Sequence, residues 1–353
     1  MFSASFIYVI VLFGAVLIKF KTSDPIPDVN VISLEMRKHF RDLSTKVRTG
    51  LYIKNFPTFD FTANTFVVDG LVWFEFNKNE IMLKTIDKFS FDNSRTIYKS
   101  APHVSIHGDK ILVKYEVIFE TKTNLNFHRY PLEDHRLSIV LTNNSVSPNE
   151  MYFEDSVDAL SLTISDKLFI TNWYVHTTQT MSGYTSLPYD QFHEKRSVKN
   201  PKAVFTINFK KLGINKVLII FVPLFTAMFF ALFSFLLSFN SYAAKTTLTV
   251  TAVTALLGYR FVIQQLSPPV GYFTLTDKIF IFFLLLSFLI FIFQLLLMRH
   301  YMFLLDREKV KKSEQLSTDV TFYPPKITER VNSVAYFVTV LIFLIVVTAL
   351  VLI

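Results

Sequence analysis

Five threonines fall within "AAKTTLTVTAVTALLGYRF", residues 243–261, a stretch otherwise apolar enough to cross a membrane. Hydroxyls at that depth can do two things. They can bond carbonyls one turn back along their own helix and help helices pack. Or they can face water, because polar groups inside a bilayer are tolerated where they line a cavity. At about 100° per residue, with Thr247 set to zero, Thr251 lies at about +40°, Thr254 at about −20°, Gly258 at about +20°, Phe261 at about −40° and Gln265 near zero. These six share one narrow stripe. Leu248, Val253, Leu256, Leu257 and Ile263 fall on other faces, and Thr246 and Thr249 are off the stripe. One helix cannot enclose water, so a water-facing stripe requires several copies around an axis, a symmetric oligomer.

Little else in the chain points to chemistry. There is no cysteine, which excludes disulfides, thiolate catalysis and Cys-based metal sites. G-x-S-x-G, H-E-x-x-H and phosphate-loop patterns are missing, and no carboxylates pair at persuasive spacing. We therefore expect no enzyme, no catalytic residue, no metal and no cofactor. Glu150, Glu154 and Asp155 read as a solvated loop, or at most a divalent-cation site. The net charge of +8 calls for nucleic acid only if a basic stripe lies on a soluble face. Much of the surplus sits instead in "MRHYMFLLDREKVKKSEQ", between two apolar runs, where the positive-inside rule places a cytoplasmic loop.

Four apolar runs reach the roughly 20 residues a spanning helix needs: 214–239, 242–266, 276–298 and 333–353. Residues 1–22, with "MFSASFIYVIVLFGAVLIKF", read as a secretory signal peptide or an uncleaved anchor. Either outcome can put 30–210 outside; the basic loop 299–330 then lies inside, and the loop 267–275 and the C-terminus outside. The expectation is a multi-pass protein of the plasma membrane, or of the inner membrane if bacterial.

Residues 50–210 alternate short β-branched and aromatic runs with turn-formers. "NTFVVDGLVWFEF", "ILVKYEVIFET", "HRLSIVLT" and "AVFTINFKK" read as strands, separated by "IHGD", "NNS", "SPNE" and "SVKNP". About ten strands at this spacing suggest an antiparallel sandwich. "ISLEMRKHFRDLSTKV" has helical spacing ahead of the sheet.

The segment "NFHRYPLEDHRLSIVL" resembles the Cys-loop segment of the pentameric ligand-gated ion channels, in their cysteine-less bacterial-type form. Tyr130 and Pro131 match it, Leu132 and Glu133 stand where Phe and Asp are usual, and Thr123 and Leu137 occupy the cysteine positions. "VDGLVWFEFNKNE" and "FITNWYV" resemble family strands, "SYAAKTTLTV" the start of the pore helix, and "SPPVGYFTLTDK" the linker to the third span, with Asp277 at its end. The resemblance runs from about residue 30 to the C-terminus.

It implies an extracellular all-β antiparallel sandwich, residues 30–210, followed by an all-α four-helix transmembrane domain, 211–353, assembled as a homopentamer. Permeant inorganic ions, the lipid bilayer and an unknown small ligand or protons are then the partners, with no nucleic acid. It places Thr247, Thr251, Thr254, Gly258, Phe261 and Gln265 along the conduction path, with Phe261 as a gate. Ala243, Ala244 and Lys245 stand at the inner mouth and resemble the anion-channel pattern, so the pore is expected to be anion-preferring or weakly selective, although Lys245 can also snorkel to headgroups. Tyr130, Pro131, Glu133, Asp134, Lys211 and Asp277 fall at coupling positions. Tyr152, Phe153, Tyr184, Tyr189 and Phe192 are the candidates for an aromatic ligand site. A non-conducting, membrane-tethered β-sandwich receptor is the alternative.

Overall fold

The computed structural model describes residues 22–31, 44–154, 159–162, 173–188, 197–238, 241–313 and 326–352. The N-terminal apolar run, most of the helix expected over 32–47, Tyr189 and Phe192 lie outside these residues. The chain divides into a β unit, up to Asn126 and then Glu133–Gly213, and a helical unit, Phe127–Leu132 with Ile214–Ile353.

The β unit holds β1 (Asn30–Val31), β2 (Thr45–Asp60), β3 (Thr65–Asn77), a short helix α1 (Leu83–Ile86), β4 (Ser90–Phe91), β5 (Ser94–Lys99), β6 (His103–His107), β7 (Lys110–Thr121), β8 (His135–Thr142), β9 (Met151–Glu154), β10 (Leu160–Leu162), β11 (Trp173–Pro188) and β12 (Ser197–Lys211). One sheet runs β1-β11-β12-β8-β4 and the other β10-β2-β3-β7-β5, with β6 on β7 and β9 on β2. Strict alternation builds β3: Phe66, Val68, Val72, Phe74 and Phe76 are buried and their neighbours are not, as the period-2 pleat requires. Those side chains share one apolar cluster with Leu137, Ile139, Phe205 and Phe209 of the other sheet.

Two expectations fail here. The ladders are not all antiparallel, because β9 and β10 both run parallel to β2. Parallel partners need a long connection, and about a hundred residues of chain lie between them. "SVKNP" is not a turn but the start of β12. Pro201 is tolerated because its carbonyl accepts from Asn143 N–H at 3.3 Å, on the side where β8 has already ended at Thr142. Its missing N–H therefore interrupts no ladder.

The helical unit contains α2 (Asn215–Phe233), α3 (Tyr242–Leu266), α4 (Leu275–Ser313) and α5 (Lys326–Leu352). All four are long and apolar enough to cross a membrane, which marks a multi-pass membrane protein. α3 has the bounds read from the sequence. α4 runs past its apolar part to Ser313, so the first half of the expected basic loop is helix, built from Arg, Lys and Glu of high helix propensity. α2, α4 and α5 interlock through Phe225, Phe283 and Phe343, with ring centroids 5.2 to 6.3 Å apart.

Candidate functional site: an exposed hydroxyl face on α3

α3 packs against α2 and α4 through Lys245, Thr249, Ala252, Leu256 and Ile263, its buried residues. At about 100° per residue these sit between about 140° and 200° from Thr247. The opposite face carries Thr247, Thr251, Thr254, Gly258, Phe261 and Gln265, and every one is exposed in the single chain. Phe261 is 70% exposed. The hydroxyls thus divide by environment. Thr249 is buried and donates to the carbonyls of Thr246 (2.9 Å) and Lys245 (3.3 Å), the packing use of a threonine. Among the described residues, no helix covers the three stripe threonines, which are exposed.

Ala243 and Ala244 are exposed in the first turn, whereas Lys245 is 3% exposed. Tyr242, Thr246, Gln294, Met298 and Tyr301 line the small cleft beside it. The ammonium lies on the buried face, neither in the stripe nor extended outward as a snorkelling lysine would be. Near the other end, Arg260 Nη1 contacts Asp277 Oδ1 at 2.6 Å, and Thr274 gives Asp277 Oδ2 its N–H and hydroxyl at 3.1 and 2.7 Å. Asp277 is therefore anchored by α3 itself, and Arg260 is a partner the sequence reading missed.

Residues Phe127–Leu132 interrupt the β unit in sequence but belong to the helical unit. Backbone bonds Tyr130 N–H to Phe127 and Leu132 N–H to Arg129 fold the segment into turns. His128 C=O accepts from Leu275 N–H (2.9 Å), and Tyr130 C=O from Thr276 Oγ1 (3.0 Å). Tyr130 OH donates to Leu266 C=O and Tyr272 OH accepts from Phe127 N–H at 2.9 Å. The His128 and Tyr272 rings lie 4.1 Å apart. Tyr130 and its cis-bonded neighbour Pro131 thus sit against the α3–α4 link. That link is held by Phe127, His128 and Tyr130; of these, Tyr130 is among the coupling positions expected from the sequence.

In the β unit Asp134 Oδ1 instead accepts the Lys211 N–H at 3.0 Å. Glu133 belongs to a buried row. Asp24 Oδ2 is 3.0 Å from His135 Nδ1, and Glu133 Oε1 is 3.5 Å from His135 Nε2, with side-chain exposures of 1%, 3% and 2% for Asp24, His135 and Glu133. Between two ionised carboxylates the ring can turn an N–H to each only as imidazolium. Burial pulls the His135 pKa down, but the hydrogen bond to Asp24 and the nearby charges of Asp24 and Glu133 outweigh it, leaving the pKa above the ordinary 6.5. Burial likewise raises the Glu133 carboxyl above 4.5, against the pull of His135 and Lys211.

Of the aromatic candidates, Tyr152, Phe153 and Tyr184 fall among the described residues. Phe153 is 1% exposed, packed in the core against Phe74, and offers no face to a ligand. Tyr152 is half-buried on β9, and Tyr184 on β11 already has the Lys199 ammonium over its ring at 5.3 Å. Glu154 is paired with Lys46 at 2.6 Å. A scan against protein-family models finds no match for this chain, and a search of curated proteins finds no significant relative.

Proposed function

We propose that the chain is one subunit of a pentameric ligand-gated ion channel of the plasma membrane, with the β unit forming an extracellular sandwich and five α3 helices walling a central pore. The observation that carries this reading is the division of α3: one face buried against its own subunit, the opposite face polar and exposed along the length of the helix. A polar face at membrane depth is stable when it borders water. The segment 127–132, continuous with the β unit in sequence and hydrogen-bonded to the α3–α4 link, suits transmission of an outer stimulus to the pore helix.

A non-conducting receptor draws support from Phe261 alone, since five such rings on one axis can plug or dewet it. Recording currents from the reconstituted chain while stepping pH and applying small amines separates the two readings. Stimulus-dependent unitary currents, enlarged or leaky in Phe261→Ala, support the channel. Silence of both proteins under every stimulus supports the receptor.

The pore is anion-preferring or weakly selective in this reading, through five Lys245 ammoniums set behind the stripe. Under a salt gradient, Lys245→Gln is expected to move the reversal potential toward the cation value. An unmoved potential removes Lys245 from selectivity.

A further inference from the structure

The two chain ends at which segment 127–132 leaves and rejoins the β unit are tied by the same buried carboxylate. Asp24 Oδ1 accepts the N–H of Asn126, the last residue before the segment, at 2.7 Å. Asp24 Oδ2 accepts the N–H of Arg136 at 2.7 Å and contacts His135 at 3.0 Å. His135 in turn reaches Glu133, the first residue after the segment. Arg136 adds Nη1 to the Asp24 carbonyl at 3.2 Å and Nε to Asn208 at 2.7 Å. From the other elements, Lys211 of β12 lies with its ammonium 5.9 Å from the Trp173 ring and its charge favours ionised Glu133, Asp134 is occupied by the Lys211 N–H, and the Phe61 and Trp173 rings cover the imidazole at 4.8 and 5.5 Å.

We propose that Asp24, His135 and Glu133 form a proton-binding site that grips the neck of segment 127–132, and that an outside proton held on His135 is a ligand the channel needs in order to open. The proposal rests on the channel reading and names a ligand it requires. With the proton bound, two buried carboxylates face one imidazolium. Without it, two buried negative charges face a neutral ring that can donate to only one of them. A buried carboxylate with no cation beside it carries its full desolvation cost, which favours opening of the row to water and slackens the Asp24 hold on Asn126 and Arg136. The sign follows from the direction of the shift: a histidine whose folded-state pKa is raised keeps its stabilising proton below 6.5 and loses it as pH rises through the raised value. The neck is tight near neutrality and below, and loose in alkali.

The chain has two tryptophans, so Trp73→Phe leaves Trp173, beside His135, as the sole indole. Imidazolium quenches indole emission, and Trp173 fluorescence of the full chain is expected to rise with pH at a midpoint above 6.5. Asp24→Asn should lower that midpoint and His135→Gln should abolish the step. A missing step, a midpoint at or below 6.5, or one unmoved by Asp24→Asn overturns the proton site without touching the channel reading. Currents from the reconstituted chain should fall across the same pH interval. If it conducts but current ignores that interval, the gating role is overturned while the channel stands. If it conducts under no stimulus, the channel reading falls, and the grip is judged by hydrogen exchange at the Asn126 and Arg136 amides, corrected for intrinsic pH dependence. Protection lost across the midpoint supports the grip, and unchanged protection overturns it.

Discussion

Phe209→Ala is expected to remove about 3–5 kcal/mol from the β unit, the cost of deleting a buried phenylalanine and leaving its cavity. Phe209 stands on β12 within the shared core. Its ring meets Phe56, Phe59 and Phe61 edge-on at centroid distances of 6.3, 5.0 and 5.7 Å. Phe61 in turn stacks on His135, so the truncation loosens both the core and the packing over the buried imidazole. Against a domain stability of about 5–15 kcal/mol, the loss should show as an early Trp173 transition in a denaturant titration of the full chain. Phe209→Leu, which keeps most of the volume, should cost much less. Equal costs for the two variants would mean that the core does not close on this ring.

Thr254→Trp is expected to abolish current from the reconstituted protein without lowering its assembly or stability. Thr254 lies mid-stripe on the exposed face, so an indole there has room in the single chain and, in the proposed assembly, five of them fill the axis. Thr249→Val is the matched control on the same helix. Its hydroxyl bonds only the turn behind it, and valine keeps the shape, so current should persist with at most a small loss of stability. Current surviving Thr254→Trp while Thr249→Val destroys it would invert the assignment of the two faces.

Much of this organisation is legible in the sequence wherever the signal is local. The bounds of α3 and β8 follow from hydropathy and from β-branched runs, and the split between Thr249 and the stripe threonines follows from helical period alone. Non-local pairings are not legible. Asp24 and His135 lie far apart in the chain, and nothing in "TSDPIPD" marks one carboxylate as buried. The parallel placement of β9 and β10 on β2 depends in the same way on long connections. Phe153 illustrates the limit of composition: an aromatic after a turn reads equally as ligand wall or core, and only burial decides. Arg260 was hidden because it lies off the stripe, at about −140° from Thr247, although an arginine within an apolar span calls for a carboxylate partner, and Asp277 is the nearest acidic residue along the chain.

The account stands or falls on whether the α3 stripe borders water in the assembled protein. Because the chain has no cysteine, single cysteines can be placed without background. A charged, membrane-impermeant thiol reagent should modify cysteines at Thr247, Thr251, Thr254, Gly258 and Gln265 during stimulation and change the current irreversibly, while cysteines at Thr249, Ala252 and Leu256 stay unreactive. Reaction at the second set, or none at the first in a conducting protein, contradicts a pore walled by α3.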